Sequence, residues 1–391
     1  MLSQPLSRIS KISPLMQMQR FRLFSSSVKE FPPHFIYGTT TSYPDREPGA
    51  IDFMFTSDHL EAAEEQRKVP CELLEPKGTV GASKGWVFTL ENGLLCLRDD
   101  LKINASASNP KRISLPPLET LPHAQTQIVS SVAMSSACPD EDDDCIVAVK
   151  FLGPQLSLCR PAHDSKWTNI RITEPSFFTS PVMFSQRDGM FSLPASRGGY
   201  VGSWDLQGKP KLQKLRFQDL PRSRKKEREL LDSCYSSHHL VESSSGESFL
   251  VLWYRTAIYD NKDDNLVTKR CMLFRGYEEG NAIYDIKDED LGTKGFKVFR
   301  LDEEGNASYT EDIGDLCLCL SKSESFCVTA SLFSGPDLLM NSISYIDVDE
   351  SISPILDVGC FCLSRAERAR ENYSTYYKTP FPYLFPPQPC I

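Results

Sequence analysis

From Gly81 onward, short runs of apolar and β-branched residues alternate with turn residues. The runs at 85–90 and 94–97 flank Asn92-Gly93, and this dipeptide is the strongest short-range signal for a β-hairpin. Further runs lie at 145–152, 155–160, 182–193, 199–205, 239–254, 296–301, 316–320, 326–330 and 344–347. Many short strands separated by turn signals predict an all-β protein.

The spacing of these runs favours a β-propeller. They extend over far more chain than the roughly 100 residues of a single sandwich. Units recur about every 40–55 residues, near the period of propeller blades. We therefore expect a β-propeller of about six to seven blades over residues 81–378, with a few short helices in loops and near the N-terminus. Trp86, Trp204 and Trp253 are predicted core residues, because each lies in a separate hairpin unit among apolar neighbours.

The segments on either side of the propeller have different compositions. Residues 30–80 are expected to form a linker with one short helix, at Asp58–Arg67, and further helix signals lie at Leu220–Leu231 and at 365–371. The Pro-rich C-terminal tail, residues 379–391, is expected to be extended. The longer final segment, 349–391, is predicted to help close the ring, because a propeller must join its last blade to its first.

Residues 1–29 are Ser-rich, hold five basic residues and lack acidic ones. That composition predicts an organellar transit peptide. Arg22, Phe24 and Ser25 resemble the processing site of plant mitochondrial presequences, which have Arg three residues before the cut and an aromatic residue just before it. The predicted location is the mitochondrion, with the chloroplast or dual targeting as the alternative.

Composition excludes several classes of function. The formal net charge of −9 argues against a nucleic-acid partner, because binding phosphates needs clustered Lys and Arg. No apolar run of about 18 residues is present, so we expect no membrane-spanning helix. The 13 cysteines are spread over a long chain, which favours reduced thiols over a disulfide framework.

Candidate chemistry is sparse. The pairs Cys317-x-Cys319 and Cys360-x-Cys362 lie in apolar strands, which favours core packing over a metal site. His238-His239 has no further metal ligand close by in the sequence, and the acidic run at 140–144 has no Gly of a calcium loop. The basic run at 222–228 is interpreted as a solvated surface, with nuclear import or RNA contact as the alternative. We expect no catalytic residue, cofactor or metal.

Several phrases together resemble a known family. They are Gly81-Ala82-Ser83-Lys84-Gly85-Trp86, the run from Asn109 to Leu118, Cys145-Ile146-Val147-Ala148-Val149, Phe296-Lys297-Val298-Phe299-Arg300-Leu301-Asp302 and the run from Asp312 to Leu320. In this order they resemble the plant domain-of-unknown-function 295 family, the F-box-associated β-propellers of KIB type. Many members carry an F-box, which the sequence at 30–80 does not match, so the resemblance implies the organellar branch without an F-box.

Three hypotheses of function follow. The first is a non-enzymatic organellar propeller that binds an unknown protein partner on one face. The second is a substrate adaptor of a ubiquitin ligase, which would need an F-box or a direct ligase contact. The third is an organellar enzyme with a site at the central channel, for which a hydrogen-bonded acid–base pair would be the supporting observation.

Overall fold

A computed structural model describes residues 30–40, 49–55, 63–70, 73, 79–91, 93–103, 105–106, 109–123, 126–196, 198–220, 225–255, 292–333, 340–348, 356–368 and 383–389. The predicted transit peptide, with Arg22, Phe24 and Ser25, lies outside this range.

The strands are numbered in chain order. The N-terminal strands are β1 (Glu30–Phe31), β2 (His34–Thr40), β3 (Gly49–Phe55) and β4 (Ala63–Val69). Blade 1 consists of β5 (Gly81–Ser83), β6 (Trp86–Glu91), β7 (Leu94–Arg98) and β8 (Arg112–Pro117). Blade 2 consists of β9 (Val129–Met134), β10 (Val147–Phe151), β11 (Gln155–Cys159) and β12 (Thr168–Arg171). Blade 3 consists of β13 (Met183–Ser185), β14 (Met190–Pro194), β15 (Tyr200–Trp204) and β16 (Lys211–Lys214).

The later blades have five strands each. Blade 4 consists of β17 (Arg216–Gln218), β18 (Tyr235–Glu242), β19 (Ser248–Arg255), β20 (Thr293–Leu301) and β21 (Asn306–Thr310). The helix α1 (Lys225–Asp232) lies between β17 and β18. Blade 5 consists of β22 (Leu316–Leu320), β23 (Phe326–Thr329), β24 (Ser342–Val348), β25 (Leu356–Cys362) and β26 (Glu367–Arg368). The last strand is β27 (Gln388–Pro389), which pairs with β1, and short 3-10 helices lie at Pro175–Phe177 and Ala330–Leu332.

The five blades form a ring around their inner strands. Each inner strand contacts the next, in the order β5, β9, β13, β18 and β23. The ring closes where Ser323, just before β23, bridges to Ala82 on β5. The prediction of an all-β propeller with few helices is therefore confirmed.

The predicted number of six to seven blades is wrong, because the described part of the chain forms five. The estimate divided chain length by a typical blade period. Blade 4 runs from Arg216 to Thr310, so it uses far more chain than that period assumes. The sheet β2–β3–β4 has three strands and packs between blades 5 and 1, through Phe35 on one side and Ile36 on the other.

The helix predictions succeed only in part. The candidate at Leu220–Leu231 corresponds to α1, which begins at Lys225 and ends at Asp232. The candidate at Asp58–Arg67 is wrong over its described part, which belongs to β4, since pairing with β3 overrides the local helix preference. The candidate at 365–371 is also wrong where it is described, because a turn there leads into β26. The described parts of the interval 30–80 hold the strands β1 to β4, and Leu73 is helical.

The core lies between adjacent blades. Trp86 is 1% exposed between blades 1 and 2, Trp204 is 3% exposed between blades 2 and 3, and Trp253 is 2% exposed between blades 4 and 5. Within the described part of the chain, no helix has the length and apolar character needed to cross a membrane.

Candidate functional site

The Glu324 carboxylate contacts the inner strands of three other blades. Its oxygens accept hydrogen bonds from the Phe184 N–H at 2.7 Å, the Met134 N–H at 3.4 Å and the Ser83 hydroxyl. The Glu324 N–H in turn donates to the Ala82 carbonyl at 2.8 Å. These partners belong to or adjoin the inner strands of blades 1, 2 and 3, while Glu324 leads into the inner strand of blade 5. One side chain reaches all of them only because the inner strands converge.

The electrostatics of Glu324 suit a structural role. Desolvation raises the pKa of its carboxyl above the ordinary value, and the nearby Lys84 charge opposes this rise. The carboxylate oxygens are engaged by donors from three other blades. The arrangement links the blades across the axis.

A second polar chain joins the inner strands of blades 4 and 5. Arg255 donates to the Ser237 hydroxyl at 2.9 Å, and that hydroxyl lies 2.9 Å from Nε2 of His239. Nδ1 of His239 lies 3.5 Å from the Ser325 hydroxyl. Since Ser237 accepts from Arg255, its own proton is free to go to His239, which puts the imidazole proton on Nδ1. Arg255 also pairs with Asp347 at 2.6 Å and lies over the Trp253 ring, 4.6 Å from its centroid.

The Ser237–His239 contact has the form of a nucleophile beside a base, but its electrostatics oppose that chemistry. Burial lowers the pKa of His239 to about 3, assisted by the Arg255 and His238 charges. A general base works best with a pKa near the operating pH, and this imidazole is far below neutrality. The chain therefore fits a structural connection between blades 4 and 5.

A cleft of about 460 Å³ opens between blades 3 and 4. Directly paired residues of antiparallel strands share one face of the sheet. On blade 3 the row that faces the cleft crosses all four strands and consists of Met183, Ser192, Ser203 and Lys211. Serines thus stand where bulky apolar side chains would fill the space between blades, and the cleft is the gap that they leave.

The opposite wall of the cleft comes from blade 4. Leu240, Ser248 and Leu301 line it, and Glu303 lies at its outer end. Ser192 and Ser203 are 4% and 6% exposed, and their hydroxyl oxygens are 2.7 Å apart. One of these hydroxyls donates to the other, so the proton of the second hydroxyl is not used in this contact. The lining of the cleft is mostly polar, and its apolar members are Met183, Val201, Leu240, Val241 and Leu301.

Charged side chains lie at both ends of the cleft. At the inner end, Arg187 and Asp188 form an ion pair with an N–O distance of 3.5 Å. At the outer end, Lys211 and Glu303 are exposed.

The cysteine pairs share a face of blade 5 but do not meet. The strand β24 runs between them, so Cys317 faces Ser342 and then Cys362, while Cys319 faces Ser344 and then Cys360. Two strand spacings separate the pairs by about 9–10 Å, which is too far for one metal ion. Among the described residues, no group of three or more His, Cys, Asp or Glu side chains could hold a metal. The ten described cysteines are free thiols, and Cys317 and Cys319 pack in the core beside Phe35.

The other sequence candidates are scattered. His238 and His239 point to opposite faces of β18, and His238 bonds to the Ala195 carbonyl at 2.8 Å. In the acidic run, Asp140 pairs with Lys111 at the surface. Of the basic run, residues 222–224 lie outside the described range and the backbone of 225–228 begins α1.

Sequence reasoning missed Glu324 and the cleft. Glu324 is one acid in a Ser-rich turn, and its partners at Ser83, Met134 and Phe184 lie at least 140 residues away. The serines of the cleft were visible as polar positions within apolar strands at 183–204. This pattern shows which side chains of blade 3 are small. It indicates a cleft only when the position of blade 4, on the other side of these serines, is known.

Solved structures with a detectable likeness include a streptogramin B lyase, with 11% identity over 61% of this chain and 74% of that chain at a TM-score of 0.31. Virginiamycin B lyase from Staphylococcus aureus has 11% sequence identity over 78% of this chain and 87% of that chain, at a TM-score of 0.34. A duf4221 family member from Bacteroides vulgatus has 7% sequence identity over 73% of this chain and 82% of that chain, at a TM-score of 0.33. No curated protein matches the chain.

The match to a family model is extensive. The model of the KIB1-4 beta-propeller covers residues 57–376, which includes all five blades. This agrees with the KIB-type resemblance of the phrases between Gly81 and Leu320. The chain belongs to the KIB1-4 beta-propeller family.

Proposed function

We propose that this protein is a protein-interaction module that holds an extended segment of a partner in the cleft between blades 3 and 4. The observation that carries the proposal is the cleft itself, whose volume of about 460 Å³ lies within the range of ligand sites. It crosses the four strands of blade 3, which is a length of about 14 Å. An extended chain covers that length with about four residues.

The rest of the ring supports the cleft as a preformed site. Glu324 links blade 3 to blades 1 and 2, and the fifth strand of blade 4, β17, follows directly from β16 of blade 3. Arg216 N–H also bonds to the Gly305 carbonyl at 2.8 Å, which joins the chain leaving blade 3 to the β20–β21 turn. A rigid site loses little conformational entropy when a partner binds.

A photocrosslinking amino acid at Lys211 tests the proposal, with the same amino acid at Lys166 as the control. Lys211 lines the cleft, and Lys166 is exposed on blade 2, away from it. We expect the full-length protein in cells to give a discrete protein adduct from position 211 and not from position 166. The same adducts from both positions, or an adduct from 166 alone, would contradict docking in the cleft.

The alternatives are less well supported. An enzyme at the channel would need a competent base, and the low pKa of His239 opposes this role for the Ser237–His239 pair. A ligase adaptor with an F-box would need the helices of that domain, and the described residues between 30 and 70 form strands. Hydrolysis of ester or amide substrates that is lost in Ser237→Ala would favour the enzyme.

We further propose that the protein acts in mitochondria, as a member of the organellar, F-box-free branch of the domain-of-unknown-function 295 family. The support is the acid-free, basic composition of residues 1–29. Residues 1–40 fused to a fluorescent protein should enter mitochondria, and replacing Arg8, Lys11, Arg20 and Arg22 with Ala should abolish import. Chloroplast signal would favour the alternative address, and a purely cytosolic signal would contradict both.

A further inference from the structure

Two serines of blade 3 form the middle of the cleft. Ser192 and Ser203 are directly paired across β14 and β15, both line the cleft, and each keeps a small exposed surface. Their hydroxyl oxygens lie 2.7 Å apart. A hydroxyl group has one proton to donate and two lone pairs that accept. The contact between the serines uses one proton and one lone pair, so the pair has both a proton and lone pairs beyond this contact.

Apolar side chains surround this hydroxyl pair. On blade 3, Met183 is paired directly with the first serine, and Val201 lies two residues before the second, so both share the face of the serines. On the other side of the cleft, Leu240 and Leu301 line the wall that blade 4 provides. The charged side chains lie at the two ends. The middle of the cleft is therefore a pair of hydroxyls with an aliphatic border.

This lining selects the chemistry of a side chain that docks in the middle. A charged group would exchange its hydration for neutral partners, which is costly. A wholly aliphatic group would cover the two hydroxyls without bonding to them, and polar groups that lose water in this way are destabilising. A threonine side chain meets both demands, because its hydroxyl donates and accepts while its methyl group contacts aliphatic carbons.

We infer that the partner segment places a threonine side chain in the middle of the cleft. Its hydroxyl bonds to the Ser192–Ser203 pair, and its methyl group packs against Leu240 and Leu301. The inference rests on the proposed function, because it names the central residue of the segment that docks there. It depends only on residues that line the cleft.

The test uses the full-length protein and pools of short capped peptides. The central position of each pool is Thr, its isostere Val, or Asn, and the flanking positions are one mixture of neutral residues without hydroxyl groups. The double variant Ser192→Ala/Ser203→Ala removes the hydroxyl pair. Ser245→Ala is the control, because it removes a hydroxyl from a similar pair, Ser243 and Ser245 at 2.8 Å, in a turn outside the cleft lining.

We expect the Thr pool to bind the wild-type protein and Ser245→Ala about three- to tenfold more tightly than the Val pool, which is the effect of one hydrogen bond. The double variant should bind the Val pool at least as tightly as the Thr pool. Equal binding of Thr and Val by the wild type, tighter binding of the Asn pool, or a Thr preference that persists in the double variant would overturn the inference. The comparison of pools on the wild-type protein stands even if the double variant misfolds.

The two proposals fail separately. If no pool binds the wild-type protein, the threonine inference is overturned, and a cleft already filled by the chain itself gives this result. The adducts at Lys211 and Lys166 still decide whether the cleft is the docking site. If an adduct forms at Lys211 but the pools show no preference for Thr, the cleft binds a partner by other contacts.

Discussion

Lys150 shows how much of this fold depends on single polar residues. It is fully buried on β10, and its ammonium group donates to the carbonyl oxygens of Phe151, Gly153 and Phe178. Phe178 lies on the connection from blade 2 to blade 3, so Lys150 ties that connection to the sheet. Burial lowers the pKa of Lys150 to about 7.

This pKa predicts a pH-dependent stability. Between about 7 and the ordinary value of 10.5, the unfolded chain carries the Lys150 proton and the folded chain does not. The free energy of unfolding then rises with pH, by roughly 1.4 kcal/mol per pH unit for one proton. The free energies of unfolding of the wild type and of Lys150→Met can be measured with urea. Their difference should change in favour of the wild type as pH rises through this range.

Lys166→Met is the control for Lys150, because Lys166 is exposed and its loss should leave the pH dependence unchanged. A difference between the wild type and Lys150→Met that does not vary with pH would mean that the three carbonyls keep the ammonium charged in the folded protein.

Residues of this kind mark the limit of sequence reasoning. The burial of Trp86, Trp204 and Trp253 could be expected, since each lies in an apolar strand. Lys150 also lies in an apolar strand, but there a solvated lysine is the ordinary expectation. Its carbonyl partner on Phe178 is 28 residues away, and Glu324 depends on partners still more distant. Such contacts follow from the tertiary fold, which the local pattern does not specify.

At the scale of elements, strands with turn signals were the most predictable part. The hairpin β6–β7 and the hairpin β10–β11 lie where the apolar runs and their glycines placed them. The helix expected at Asp58–Arg67 failed because strand pairing decides the conformation of Ala63–Val69. Strands that pair with distant partners leave a weaker local signal than hairpins do.

The strand β15 carries a packing requirement at Gly202. A Cβ atom at this position would lie 2.5 Å from the Trp204 ring and 3.1 Å from the Phe177 ring. Phe177 and Trp204 pack edge to face with ring centroids 5.5 Å apart, so neither ring can easily move away. Glycine is required there by the close approach of the two rings.

We therefore expect Gly202→Ala to lower the free energy of unfolding by about 1–3 kcal/mol, as overpacking of a core does. Gly199→Ala is the matched control directly before β15, because nothing lies within 4 Å of a Cβ there. Its effect should be within about 0.5 kcal/mol. Denaturant unfolding followed by tryptophan fluorescence compares the two. Equal effects would show that the Trp204–Phe177 packing adapts.

At the scale of the whole molecule, the ring is closed by both ends of the described chain. Phe385 exchanges backbone hydrogen bonds with His34 at 2.8 and 3.2 Å, and β27 pairs with β1. On the other side, the Leu384 N–H donates to the Ser321 hydroxyl and its carbonyl accepts from Ser323, both at 2.9 Å. The residues 383–385 thus stand between the N-terminal sheet and the entry to β23.

The closing segment also supports blade 1. Tyr383 and Phe385 are buried against Ala82, Val87 and other apolar residues of blade 1, and the Tyr383 hydroxyl donates to Thr79 at 2.8 Å. Sequence reasoning could predict that a C-terminal segment helps to close a propeller, since the architecture requires closure. It could not predict that the N-terminal strands would take part, because residues 30–80 carry no strong strand pattern.

Deleting residues 383–391 should therefore open the ring and loosen blade 1 as well as blade 5. A closed ring has no free end at which the damage can remain local. Tyr383 and Phe385 are buried, and the loss of a buried aromatic side chain lowers the free energy of unfolding by about 3–5 kcal/mol. A folded domain has a free energy of unfolding of only about 5–15 kcal/mol in total.

Limited proteolysis should cut the truncated protein near Trp86, and thermal melting should lose its cooperativity. Deleting only residues 390–391, which leaves residues 383–389 in the chain, should leave the protein resistant. If residues 81–368 stay protease-resistant and melt cooperatively without residues 383–391, the C-terminal segment does not close the ring, and the inner strands hold it together on their own.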